Sequence, residues 1–90
     1  MPTIHRELGF QFRIYPNDHA PAHVHAFKGK GEVRINIQGA DGDPEFITIH
    51  DMSDKDAGKA WDIVSERQEQ FLKEWQAYHG NKGIRSGKKS

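Results

Sequence analysis

The hydrophobic period of the chain changes once, at Ser53, and that change limits the fold more than any other feature. Before it, short apolar runs alternate with a period of two and are cut by turn residues; after it, apolar residues recur in steps of three and four. The first pattern belongs to strands with one buried face, the second to a helix with one apolar stripe. Strands gathered in the first half and helix in the second point to an α+β fold, not to alternating βαβ units.

Four strands are expected. Phe10 to Tyr15 places Phe10, Phe12 and Ile14 on one face and Gln11, Arg13 and Tyr15 on the other. Pro16-Asn17-Asp18 ends it with turn chemistry. His23 to Lys28 is the second strand, and Gly29-Lys30-Gly31 is a tight link that joins it to the third as a hairpin. Glu32 to Gln38 is the third strand, with Val33, Ile35 and Ile37 on one face. A loop from Gly39 to Pro44 leads to the fourth, Glu45 to Ile49. Met1 to Gly9 reads as an entry segment.

The helical half opens at Ser53, with Asp56 three residues on in a capping-box-like pattern. The stripe from Asp54 to His79 comprises Ala57, Ala60, Trp61, Val64, Phe71, Leu72, Trp75 and Tyr78. Gly80 is suited to cap its end. Unbroken, this helix would be about 39 Å long, whereas strands of five or six residues span roughly 17–20 Å. Either the helix bends, or its far end, with Phe71, Leu72, Trp75 and Tyr78, overhangs the sheet. That cluster then needs a cover: the segment Pro2 to Leu8 folding back, or an interface with a second copy or a partner protein. The expected architecture is a small, mostly antiparallel four-stranded sheet packed against one long C-terminal helix, with residues 1–80 forming a single domain.

Composition narrows the setting. The chain has no cysteine, which excludes disulfide staples and thiolate metal ligands. A small domain without staples is expected in the cytoplasm. The N-terminus has no apolar signal region, and no apolar run approaches the roughly 20 residues that cross a bilayer, so no membrane role is expected. Net charge is zero, but Asn81 to Ser90 carries Lys82, Arg85, Lys88 and Lys89 with no acid. This basic tail, with two glycines and no periodicity, is expected to be disordered.

Three of the six histidines, His19, His23 and His25, fall within Asn17 to His25, beside Asp18. His23 and His25 are two apart, so both point to one face of a strand. His5, His50 and His79 are isolated and are read as structural; His79 lies in the last helical turn, where a cation suits the helix dipole.

Phe12-Arg13-Ile14-Tyr15, Asn17-Asp18-His19, Pro21, His23-Val24-His25, Gly31-Glu32 and a long helix closing with Trp75 and His79-Gly80 together resemble the bacterial domain of unknown function 4160 family. The resemblance also takes in Met-Pro-Thr-Ile at the start and covers roughly Met1 to Gly80. Its most specific part is the Asn-Asp-His…Pro-x-His-Val-His block. The chain departs from the pattern in having Ala20 and Ala22 around a single Pro21, where the family is often richer in proline. The resemblance implies an intracellular prokaryotic protein, commonly encoded beside a second small protein in a toxin–antitoxin-like arrangement. It supplies no reaction.

The histidine block supports three readings. The first is a component of such a two-protein module, acting through a partner protein and RNA. The sheet face away from the helix would carry Arg13, Tyr15, His23, His25, Phe27, Arg34 and Asn36. Cations interleaved with aromatics suit single-stranded nucleic acid, and two imidazoles can serve as general base and acid at a ribose 2′-hydroxyl. On this reading His19, His23 and His25 are the catalytic candidates, and Arg13, Tyr15 and Arg34 bind nucleic acid. The second is a metal-binding or metal-dependent hydrolytic protein, with His19, His23, His25 and Asp18 holding a divalent transition metal such as zinc. Nearby arginines oppose a dication, so these two readings compete. The third is a pure interaction module, meeting a partner protein or a second copy through Phe71, Leu72, Trp75 and Tyr78 of the long helix, with the histidines holding a turn together.

Overall fold

A computed structural model of the chain describes residues 3–15, 19, 21–38 and 42–80. Among these residues five strands form one antiparallel sheet, each strand lying beside its neighbour in sequence. They are β1 (Thr3–Glu7), β2 (Phe10–Arg13), β3 (His23–Lys28), β4 (Gly31–Asn36) and β5 (Glu45–His50). Two helices follow, α1 (Asp54–Glu66) and α2 (Gln68–Trp75), and a π-helical turn (Gln76–Gly80) extends the second. The α+β class is as the change of period predicts. The expected turn at Pro16 to Asp18, the first half of the Gly39 to Pro44 loop (Gly39 to Asp41) and the basic tail from Asn81 lie outside the described residues.

The strand count corrects the expectation of four, because the entry segment contains β1. Leu8 and Gly9 join it to β2 with positive φ at both positions (53° and 84°), as a tight two-residue turn requires. The strand escapes the alternation test because one of its inward residues is a histidine. The His5 ring packs 5.9 Å from Phe12 and 5.8 Å from Phe71, so an imidazole stands where an aliphatic side chain was the only recognisable signal.

The single long helix is also corrected. It breaks at Arg67, whose backbone (φ −115°, ψ 21°) leaves the helical region. The preceding helix has 13 residues and is therefore about 20 Å long, close to the length of the strands beneath it. The bend comes where a straight helix would leave the sheet. No proline or glycine causes it; tertiary bonds hold it. Arg67 Nε donates to Glu7 on β1 at 2.9 Å, and Gln68 Nε2 donates to the carbonyls of Ile37 (2.7 Å) and Gly42 (2.8 Å). At the other end Ser53 caps α1 by accepting from the backbone N–H of Asp56 at 3.1 Å.

The register confirms the two faces of the sheet. Phe12, Ala26 and Val33 stand opposite one another on successive strands, and with Phe10, Ile14, Val24, Ile35 and Ile37 they are fully buried against the helices. Each fully buried Val, Ile or Phe among these contributes roughly 1.5–3 kcal/mol. Phe71 and Trp75 are buried in the same core, Phe71 against Phe12 and His5, while Leu72 and Tyr78 are half-buried beside it. Of the two covers expected for the helix end, the N-terminal segment thus supplies part as β1, and β2 supplies more. Gly31 permits the sheet to meet the segment that enters α1: a Cβ there would lie 2.5 Å from the carbonyl oxygen of Asp51. Among the described residues no helix is long and apolar enough to cross a membrane.

Candidate functional site

The second face is built from cross-strand rows. Arg6, Gln11, Phe27, Glu32 and His50 form one, through successive pairings from β1 to β5. Arg13, His25, Arg34 and Thr48 form the next, and His23, Asn36 and Glu45 a third. These rows hold Arg13, His23, His25, Phe27, Arg34 and Asn36 together, as the alternation predicts, and Tyr15 joins them through its ring contact with His25.

His23 and His25 are nevertheless buried, each 7% exposed. A file of rings accounts for much of this. The rings of His23 and His25 lie 5.1 Å apart; Tyr15 meets His25 edge-on at 4.5 Å and Phe27 stacks over it at 6.3 Å. On the other side Trp75 lies 5.3 Å from His23 and stacks on His79 at 3.7 Å. The file runs from the end of the helix across two strands, and the Arg13 guanidinium closes it, 5.0 Å over Phe27.

Hydrogen bonds fix the two imidazoles differently. His23 donates from Nδ1 to the carbonyl of Pro21 at 2.9 Å, which ties the ring to the chain entering β3. His25 donates from Nδ1 to the carboxylate of Glu32 at 2.7 Å. A carboxylate accepting from Nδ1 fixes the orientation of the ring. The His79 ring lies between two carbonyl oxygens, Nδ1 3.0 Å from that of Trp75 and Nε2 3.1 Å from that of Tyr15, and so sets the helix end against the exit of β2.

Beside the dyad lies an open cleft of about 460 Å³, lined by His25, Glu32, Arg34, Thr48, Ile49 and His50. Arg34 donates from Nε to Thr48 at 3.0 Å, which holds its guanidinium along the cleft wall. Glu32 and His50 are direct cross-strand partners. The cleft so combines a carboxylate-held imidazole, a second imidazole and a guanidinium.

Several placements differ from what spacing suggests. His19 is exposed and does not line the cleft. Asp18 lies outside the described residues. Among the described residues no group of three or more histidines and carboxylates is placed to hold a metal ion. His50, read as isolated, stands in the cleft, while His5 and His79 serve packing and clasping. Glu32 and His50 are the residues that sequence reasoning passes over. The signal for Glu32 was present: a hairpin turning at Gly29-Lys30 fixes the register of β3 and β4 and puts Glu32 diagonally across from His25. His50 needed the pairing of β5, which follows a longer loop.

Comparison with curated proteins and with solved structures gives no match. A family model does match, over residues 9–76. That span contains β2 to β5, both helices, the histidine pair and every residue lining the cleft, and by it the chain belongs to the family described as domain of unknown function (DUF4160).

Proposed function

We propose that the open sheet face binds single-stranded RNA and that the cleft cleaves it by acid–base chemistry. The observation that carries this reading is the convergence of the His25–Glu32 dyad, His50 and Arg34 on one cleft. Phe27 and Tyr15 offer ring surfaces to bases, and Arg13 and Arg34 offer charge to phosphates. In the reaction the 2′-hydroxyl gives its proton to His25 Nε2 and its oxygen attacks the adjacent phosphorus. Arg34 stabilises the charge that builds on the phosphoryl oxygens, the P–O5′ bond breaks, and protonated His50 gives its proton to the leaving O5′. The products are a 2′,3′-cyclic phosphate and a free 5′-hydroxyl. On this reading the chain is the RNA-directed member of the two-protein, toxin–antitoxin-like module that the family resemblance implies.

The test is incubation of the full chain with short single-stranded RNA in a chelator, with product ends resolved by mass. The expected result is a cyclic phosphate end from RNA and no cut where the 2′-oxygen is missing. Binding without cleavage would reduce the site to a recognition surface. Neither binding nor cleavage at low salt overturns the reading.

A further inference from the structure

The two edges of the sheet are not alike. The edge strand β1 is half-buried along most of its length and tied to the helices through His5 and Glu7. In β5 every residue is exposed, including three large apolar ones, Phe46 (44%), Ile47 (42%) and Ile49 (44%). An edge strand offers an outer row of backbone N–H and C=O groups, and proteins usually guard it with charge, proline or brevity. This edge is six residues long and has a single acid, Glu45.

We propose that two copies of the chain pair antiparallel through β5 to make one continuous sheet. The sequence of the strand is self-complementary in one register. Ile49 stands opposite Val33 and Phe46 opposite Ile35, so both belong to the helix-side rows, with Ile49 also bordering the cleft at the sheet edge; Glu45 and His50 stand opposite Asn36 and Glu32, so both belong to the cleft-side rows. A two-fold register with Phe46 across from Ile49 of the second copy keeps apolar with apolar on the helix side. It also sets Glu45 across from His50 of the second copy on the cleft side, an acid facing a base. Sliding by one residue would put Phe46 opposite Thr48 or His50 and mix the two faces. The irregularity in β5, between the residues facing Arg34 and Ile35, leaves Ile47 as the extra residue. Both copies carry it at the same place, next to the two-fold axis, so it does not throw the pair out of register. The pairing would bring the two clefts side by side, with Glu45 of each copy beside His50 of the other.

The proposal stands apart from the RNA reading, and its readouts are mass and cross-linking. The full chain is expected to sediment at twice its 10.3 kDa mass, and Phe46→Lys at 10.3 kDa with the same circular dichroism. The chain lacks cysteine, so single cysteines can be introduced cleanly. A mixture of Phe46→Cys and Ile49→Cys copies should form the mixed disulfide, and Phe46→Cys alone should form none. A monomer across the soluble range overturns the proposal. So does a dimer that survives Phe46→Lys, or one in which the mixed disulfide fails to form, because either places the contact elsewhere. If Phe46→Lys does not fold, the cysteine mixture decides alone.

Discussion

His25 and Glu32 are joined by a 2.7 Å hydrogen bond that runs diagonally between adjacent strands of a rigid hairpin. The carboxylate acts on the imidazole without moving, because both backbones are fixed by the same ladder. Glu32→Gln keeps the size of the side chain and removes its charge, so in the proposed reaction the His25 ring loses its anionic partner. On the proposed mechanism, cleavage of RNA by this variant is expected to fall about 10²-fold, while RNA affinity holds or rises as an acid leaves the face proposed to bind phosphate. Single-turnover rates and anisotropy titrations separate the two effects.

On the proposed RNA-binding reading Arg34 meets phosphate, and its loss should be read in salt. Arg34→Ala is expected to weaken binding to all RNA sequences alike and to reduce the slope of log affinity against log salt by about 1. Titrations at several salt concentrations check this, and an unchanged slope would place the phosphate elsewhere.

Glu7 links acid stability to the bend in the helix. The bond from His5, then that from Arg67, holds its carboxyl below the usual value of 4.5. A carboxyl with a depressed folded-state pKa stabilises the fold above its unfolded value, and the contribution is lost as pH falls through the folded value. Wild type should therefore exceed Glu7→Gln in stability at about pH 7, and the gap should close as pH drops below 4.5. Urea unfolding across that range measures it.

Gly31 has no room for a methyl group. The added Cβ of Gly31→Ala meets backbone at Asp51, which cannot swing aside as a side chain would. The expected cost is roughly 1–3 kcal/mol in denaturant unfolding. The opposite effect is expected at Leu8, an exposed side chain on a left-handed backbone (φ 53°). Leu8→Gly removes a conformational cost of roughly 1–2 kcal/mol and adds about 0.5–1 kcal/mol of chain entropy to the unfolded state, for a net gain between zero and about 1.5 kcal/mol. Calorimetry of both variants tests the pair.

Much of this molecule is legible in its sequence. The inward and outward sets of β2, β3 and β4 follow from alternation alone, and so do the start of the helical half at Ser53 and the facing of His23 and His25. What stays hidden has a common cause. His5 replaces an apolar residue in β1, Arg67 bends the helix without proline or glycine, and Glu32 and His50 gain meaning only through strands paired across turns. Each depends on a contact between residues far apart in the chain. Local propensity is silent there, because the deciding energy lies in packing and in side-chain bonds to distant backbone.

The amide of Gln68 has a consequence of another kind. Its two N–H groups each serve one carbonyl, Ile37 before the loop and Gly42 within it. Hydrolysis of that amide over the life of the protein would leave a carboxylate, which has no proton to offer either oxygen. Two attractions would become two repulsions at once, at the joint where the helix turns. The durability of the fold is tied at this point to the lifetime of one covalent bond, and aged protein should reveal it as an acidic species that melts early.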